Sequence, residues 1–277
     1  LTNKLEAGLF EDVITEAKGL LKKRGHQIIY NIISIAYQSL GKFDLSVKIM
    51  EEALRKNPRN PYFLNNMGIS KHKLEILDEA EYYFKKGLEI APNYINILNN
   101  LANLKKDLNQ FDEAIVLYKK SLGINKVSNE IQFNLATIYI TLGKFNDAEL
   151  HLNKILENNP KATEADRLIS SFTKYSQDNE HLKKMIKKIE EKDLNKNQLM
   201  HLYFALGKAF EDVKKYENSF KNFNRANQYL SEIIKYDISH DVEKFIKIKK
   251  TINFISNNKI DKNLRQLIFI VGMPRSG

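Results

Sequence analysis

The sequence predicts an all-α solenoid of helix–turn–helix units, followed by the first strand and loop of an α/β domain. Three observations predict it. A pattern of apolar and small residues recurs every 34 residues. Prolines recur at the ends of the units. The composition then changes abruptly at Leu267. A fixed period of this size marks a stacked helical array, in which each unit buries its apolar face against its neighbours.

The pattern is clearest in residues 61–94. Leu64, Met67 and Gly68 are followed by Asp78-Glu79-Ala80, Phe84 and Pro92. It returns as Leu98, Leu101, Ala102, Asp112-Glu113-Ala114 and Tyr118. It returns again as Leu135, Ala136, Tyr139, Asn146-Asp147-Ala148, Leu152 and Pro160. Before it stand Tyr30, Ile33, Ser34, Tyr37, Ser46, Met50, Ala53 and Pro58. We number each unit from the residue equivalent to Pro61 and set successive residues about 100° apart. Positions 4, 7, 8 and 11 then share one face of the first helix, and positions 20, 24 and 27 one face of the second. Positions 8 and 20 are small (Ser34, Gly68, Ala102 and Ala136; Ser46, Ala80, Ala114 and Ala148), so the two backbones can approach closely. Gly41-Lys42-Phe43, Asn109-Gln110-Phe111 and Gly143-Lys144-Phe145 mark the turns between helices. Pro58, Pro92 and Pro160 stop the second helices.

These residues resemble the tetratricopeptide repeat (TPR) family, and the resemblance covers Gln27–Ala162. It implies a right-handed superhelix of helix–turn–helix units with a concave groove. The sequence departs from the family at Lys71 and Lys105, where an aromatic residue or Leu is usual. Their stems are expected to lie along apolar surface with the charge in water.

In chain order, residues 1–26 read as the second half of an incomplete unit. Gly8–Asp12 echoes the turn, Val13–Lys23 is the second helix, and its partner is missing; a truncated N-terminus is expected. Four units follow, 27–60, 61–94, 95–128 and 129–162. Residues 163–199 form a helical connector, with helices over Glu164–Tyr175 and Asp178–Glu191. The second of these carries Leu182, Met185, Ile186 and Ile189 and packs on the array rather than on a membrane. A further unit occupies 200–233, with Tyr203, Leu206, Gly207 and Phe210 in its first helix. Residues 234–266 are a helical linker, and 267–277 begin the next domain.

The net charge is +10. No platform of aromatic residues with Arg accompanies it, so the Lys residues read as solvated helix faces and no nucleic-acid partner is expected. There is no Cys, which suits a reducing compartment, and a cytoplasmic location is expected. No apolar run is long enough to span a bilayer. The six His show no i, i+4 pairing and no motif with carboxylates, so no metal site is expected.

Leu267-Ile268-Phe269-Ile270-Val271 is a continuous apolar run that reads as a buried parallel strand. Gly272-Met273-Pro274-Arg275-Ser276-Gly277 follows at once. A strand feeding a Gly-bounded loop is how phosphate cradles begin. Gly272 and Gly277 are also spaced as in the phosphate loop of nucleotide triphosphatases, which requires Lys next. Pro274-Arg275-Ser276-Gly277 resembles the 5′-phosphosulfate loop of sulfotransferases. The whole phrase from Leu267, with Phe204–Asp212 and Ala226-Asn227 upstream, resembles bacterial TPR-linked sulfotransferases related to protein-tyrosine sulfotransferases.

That resemblance implies sulfuryl transfer from 3′-phosphoadenosine-5′-phosphosulfate (PAPS) to an acceptor, without a metal. Arg275 and Ser276 would contact the 5′-phosphate or sulfate. Gly272 and Gly277 would allow close backbone approach, and Pro274 would stiffen the turn. The catalytic residues would lie beyond Gly277, so the 277-residue chain alone is expected to be inactive. Positions 2, 6, 9 and 13 of the first helices are expected to line the concave groove. Asn66, Asn100 and Asn134 at position 6, with Asn103 at position 9, are candidates to hold the backbone of an extended protein acceptor. Two alternatives stay open: a non-enzymatic TPR scaffold, and a TPR-linked glycosyltransferase, since Asn99-Asn100-Leu101-Ala102-Asn103 resembles the arm of O-linked N-acetylglucosamine transferases.

Overall fold

The computed structural model describes residues 1–257 except Gly25, Lys126, Lys192 and residues 235–237. Among the described residues every regular element is an α-helix. From α1 to α11 they stack in sequence order as a solenoid. The expected strand Leu267–Val271 and the loop after it lie outside the described residues.

Four regular units occupy the centre. They are α3 (Gln27–Ser39) with α4 (Phe43–Lys56), α5 (Pro61–Lys73) with α6 (Leu77–Ile90), α7 (Ile95–Asp107) with α8 (Phe111–Ile124), and α9 (Asn129–Thr141) with α10 (Phe145–Asn158). Each second helix that precedes a proline ends two residues before it, at Lys56, Ile90 and Asn158. Pro61 sits at the first position of α5, where its missing N–H costs nothing, and the Asn60 side chain accepts from the N–H groups of Tyr62 and Phe63.

The small positions do what their size predicts. Ser34 Oγ and Ser46 Oγ, at positions 8 and 20, lie 2.7 Å apart. A Cβ built on Gly68 would stand 2.5 Å from Cε1 of Phe84, so the ring occupies the space a side chain would need. Gly207 stands in the same relation to Phe223, at 2.7 Å from Cδ1. Ala80, Ala102, Ala114, Ala136 and Ala148 are fully buried.

The turns repeat as faithfully as the helices. Gly41, Glu75, Asn109 and Gly143 each adopt positive φ, 34 residues apart, and Gly8 and Lys214 do the same in the flanking units. The left-handed residue lets the chain reverse in three residues. Only Gly and, to a lesser degree, Asn accept that conformation without strain.

Lys71 and Lys105 do not send their charge into water. The Lys105 side chain is 5% exposed, and its Nζ lies 2.8 Å from Glu81, 3.0 Å from Glu113 and 2.8 Å from Gln110 Oε1. Lys71 Nζ lies 2.8 Å from Glu79. Carboxylates on the second helices stand close enough to reward pairing inside the stack, and an ion pair replaces the expected apolar contact. Burial alone would lower the Lys105 pKa, but the hydrogen bonds to Glu81 and Glu113 outweigh it and raise it overall.

The ends are less regular. The first half-unit is not without a partner: α1 (Thr2–Glu6) is a short helix packed on α2 (Phe10–Arg24), which itself starts earlier than Val13. Beyond the fourth unit, α11 (Thr163–Phe172) ends before Tyr175, and its ring lies buried outside the helix. Seven residues then lead to α12 (Glu180–Glu190) in place of a three-residue turn. As a result α11 packs directly on α13 (Lys196–Asp212), and α12 lies to one side, touching that core through Leu182 and Met185, while Ile186 is exposed. The α13 helix begins before residue 200 because Asn195 and Gln198 form a capping box there. It pairs with α14 (Tyr216–Ile234), and α15 (Ile238–Asn257) follows.

Candidate functional site

The first helices of successive units stand side by side, and their unpacked faces enclose a cleft of about 820 Å³. Ile69, His72 and Lys73 of α5 form one end. Asn100, Asn103, Lys106 and Asp107 of α7, with Phe133 and Asn134 of α9, form the centre. Thr163 and Glu164 of α11, with Asn197, Gln198 and His201 of α13, form the other end. Phe84 of α6 and Ile155 of α10 also line it, so seven helices contribute, and side-chain amides are the commonest polar group in the lining. Such a surface offers both donors and acceptors, which suits the backbone of an extended chain better than an apolar ligand.

Of the Asn residues expected to face the groove, Asn100, Asn103 and Asn134 line the cleft. Asn66 does not: it is 7% exposed, because its Nδ2 donates to Asn31 Oδ1 of the preceding unit at 3.1 Å. Asn100 Nδ2 likewise donates to Asn65 Oδ1 at 2.9 Å. The amides at positions 5 and 6 thus form a ladder between neighbouring first helices. Asn134 breaks the register: its Nδ2 donates to Asn103 Oδ1 at 3.4 Å, and its Oδ1 accepts from Lys106 Nζ at 3.2 Å. Asn103 Oδ1 also accepts from the Tyr118 hydroxyl.

Two of the histidines, His72 and His181, have carboxylate partners brought in from elsewhere in the sequence. His72 Nε2 lies 3.1 Å from Asp107 Oδ2 of the next unit, at the rim of the cleft. Burial lowers the His72 pKa, with Asp107 opposing the shift, and burial lowers that of His201 as well. His201 Nδ1 lies 3.4 Å from Nη1 of Arg167, whose guanidinium stacks over the Phe204 ring. Position 12, which supplies His72 and Lys106, was not among the expected groove positions. The signal for it was available in the helical spacing, since position 12 lies three residues beyond position 9 and on the same side.

A second polar cluster holds α12 in place. Asp166 of α11 is fully buried and meets Lys188 Nζ at 2.7 Å and His181 Nε2 at 3.0 Å. His181 Nδ1 lies 2.7 Å from the Tyr175 hydroxyl, which lies 2.8 Å from Ser170 Oγ. Burial pushes the Tyr175 pKa up to about 12. The chain of contacts from Ser170 to Lys188 fastens α12 to α11 where no tight turn does so.

Among the described residues no group of three or more His, Asp or Glu is placed to hold a metal, and no helix is long and apolar enough to cross a membrane. The loop residues Gly272, Pro274, Arg275, Ser276 and Gly277 lie outside the described residues.

Comparison with known proteins agrees with the repeat. Three tetratricopeptide repeat families match residues 33–95, 83–116 and 106–171. Among curated proteins no sequence matches. Among solved structures, the C-terminal part of a TPR repeat-containing protein from Cytophaga hutchinsonii is similar at TM-score 0.62 and 16% identity, over 83% of this chain and 97% of that one. A tetratricopeptide repeat protein from Parabacteroides merdae is similar at TM-score 0.53 and 16% identity, over 84% and 93%. At that identity the likeness shows the fold.

Proposed function

From an array of tetratricopeptide repeats over residues 33–171, we propose that this chain is the protein-binding arm of a PAPS-dependent sulfotransferase. The arm's task is to hold an extended segment of the acceptor protein in the amide-lined cleft. The observation that carries the binding half is the cleft itself. Asn100, Asn103 and Asn134 present amides from two successive units, and Asn197 and Gln198 continue them on α13. A peptide backbone can pair with such a row whatever its side chains. The sulfuryl-transfer half is supported by the phrase from Leu267 to Gly277 and its resemblance to the sulfotransferase phosphosulfate loop.

The two halves are separable by experiment. In the protein carrying its complete transferase domain, Arg275→Ala removes a charge-assisted contact to the donor. It should weaken binding of the desulfated donor product about ten- to a hundredfold by calorimetry. Equal affinity would remove Arg275 from the anion site and with it the transferase reading. Changing Asn100, Asn103 and Asn134 together to Ala should lower sulfation of a protein acceptor and leave that of a small phenol intact. Equal loss for both acceptors, or loss for neither, would reject the cleft as the acceptor site.

A further inference from the structure

The amide ladder has a gap, and the gap lies beside the cleft. Two rungs are formed between residues 35 apart, Asn66 to Asn31 and Asn100 to Asn65. The third rung, from Asn134 to Asn99, is not. Asn134 makes a long bond to Asn103 instead, and Asn99 Oδ1 is buried with no hydrogen-bond partner. A buried acceptor left without a partner is costly, so the free array does not have its best hydrogen bonding here. Asn103 Oδ1 does not need Asn134, because the Tyr118 hydroxyl already satisfies it. The equivalent residues bond in two earlier units, where the first helices lie closer together than α7 and α9 do, so the third rung forms only when α9 closes on α7.

We infer that Asn134 has two hydrogen-bonded positions, and that a main-chain carbonyl of a peptide in the cleft selects the second. Lys106 Nζ now spends a donor on Asn134 Oδ1. A peptide carbonyl takes over that ammonium. As α9 closes on α7, Asn134 then turns to Asn99 and completes the ladder, and the orphaned acceptor is satisfied only when the cleft is filled. The affinity for an extended peptide therefore includes a contribution from Asn99, a residue that does not line the cleft. This rests on the reading of the cleft as a peptide site, and names the carbonyl as the group it recognises at its centre.

The test uses a capped twelve-residue Ala/Ser peptide as probe, titrated into the full chain and followed by NMR. Asn99→Ala should leave the thermal midpoint of the free protein unchanged or slightly raised, and weaken the probe about tenfold. At saturating probe the Asn134 side-chain amide resonance should move further in the parent than in Asn99→Ala, where no third rung can form. Asn31→Ala, which breaks a formed rung away from the cleft, should lower the midpoint and leave probe affinity within about twofold. Unchanged affinity in Asn99→Ala, with the parent binding, would overturn the switch and leave the cleft reading standing. Failure of the parent to bind the probe would overturn both.

Discussion

Lys105 Nζ lies 3.0 Å from Glu113 across the α7–α8 pair, and Lys71 Nζ lies 2.8 Å from Glu79 across α5–α6. These are positions 11 and 19 in two successive units. An ion pair has replaced the apolar contact at one site, twice. Lys105 also reaches Glu81 of the preceding unit, so it ties three helices together. In each pair the Lys is mostly buried and the carboxylate of the second helix is about half exposed. The pair therefore stabilises little relative to a well-packed apolar substitute, but removing the partners leaves a buried ammonium unpaired. Lys105→Leu should therefore stay within about 1.5 kcal/mol of the parent or exceed it, while Glu81→Ala with Glu113→Ala should cost roughly 3–5 kcal/mol. Urea unfolding decides it, and the reverse order would show that the pair is no better than a surface contact.

Acid should weaken the array before it reaches the carboxylate range. Burial lowers the pKa of His72, His151 and His201. A His with a lowered folded pKa stays neutral while the unfolded chain takes up a proton. The stability it contributes is full above the unfolded value of about 6.5 and is lost as pH falls through the folded one. Glu81 adds a later step. Burial alone would raise its pKa, but hydrogen bonds from Lys105 and Lys85 outweigh that and lower it overall, so its contribution disappears below about pH 4.3. Thermal midpoints should fall between pH 7 and 5, and replacing the three His by Gln should flatten that slope. A parent midpoint independent of pH over this range would contradict it.

Glu75 and Lys214 hold the turn position that Gly occupies at Gly8, Gly41 and Gly143, with φ of 60° in each case. A side chain there strains the backbone by roughly 1–2 kcal/mol, partly offset by the greater freedom of Gly in the unfolded chain. Glu75→Gly and Lys214→Gly should each raise stability by about 0.5–1 kcal/mol, and Gly143→Val should lower it by more. Loss of stability in both Gly variants would mean that the turn is not what constrains these sites.

Ala114 is fully buried where α8 approaches α7. Ala114→Phe should overpack the site and cost roughly 1–3 kcal/mol. An unchanged melting midpoint would contradict the register of the repeat.

The regular part of the fold was legible because its signals are local and periodic. Small residues at positions 8 and 20, the turn residue and the proline recur without reference to anything distant. What the sequence hid is pairwise. Lys105 reads as a misplaced charge until Glu81 and Glu113 are seen beside it. His72 and Asp107 are 35 residues apart, and nothing in either helix alone joins them. The α11–α12 unit lacks the tight turn, so its register cannot be counted from its neighbours; Asp166, His181 and Lys188 hold it instead. The Asn row was legible as a row but not in its role. Asn66 spends its amide on Asn31, and only Asn100, Asn103 and Asn134 reach the cleft.

The cleft as a peptide site is tested most directly by an NMR titration of the chain with the capped Ala/Ser peptide. The account predicts shift changes clustered at Asn100, Asn103, Lys106, Asn134 and His201, and their loss when Asn100, Asn103 and Asn134 are changed together to Ala in a protein that still melts cooperatively. Shift changes scattered over the outer helices, or equal binding by the triple variant, would contradict it.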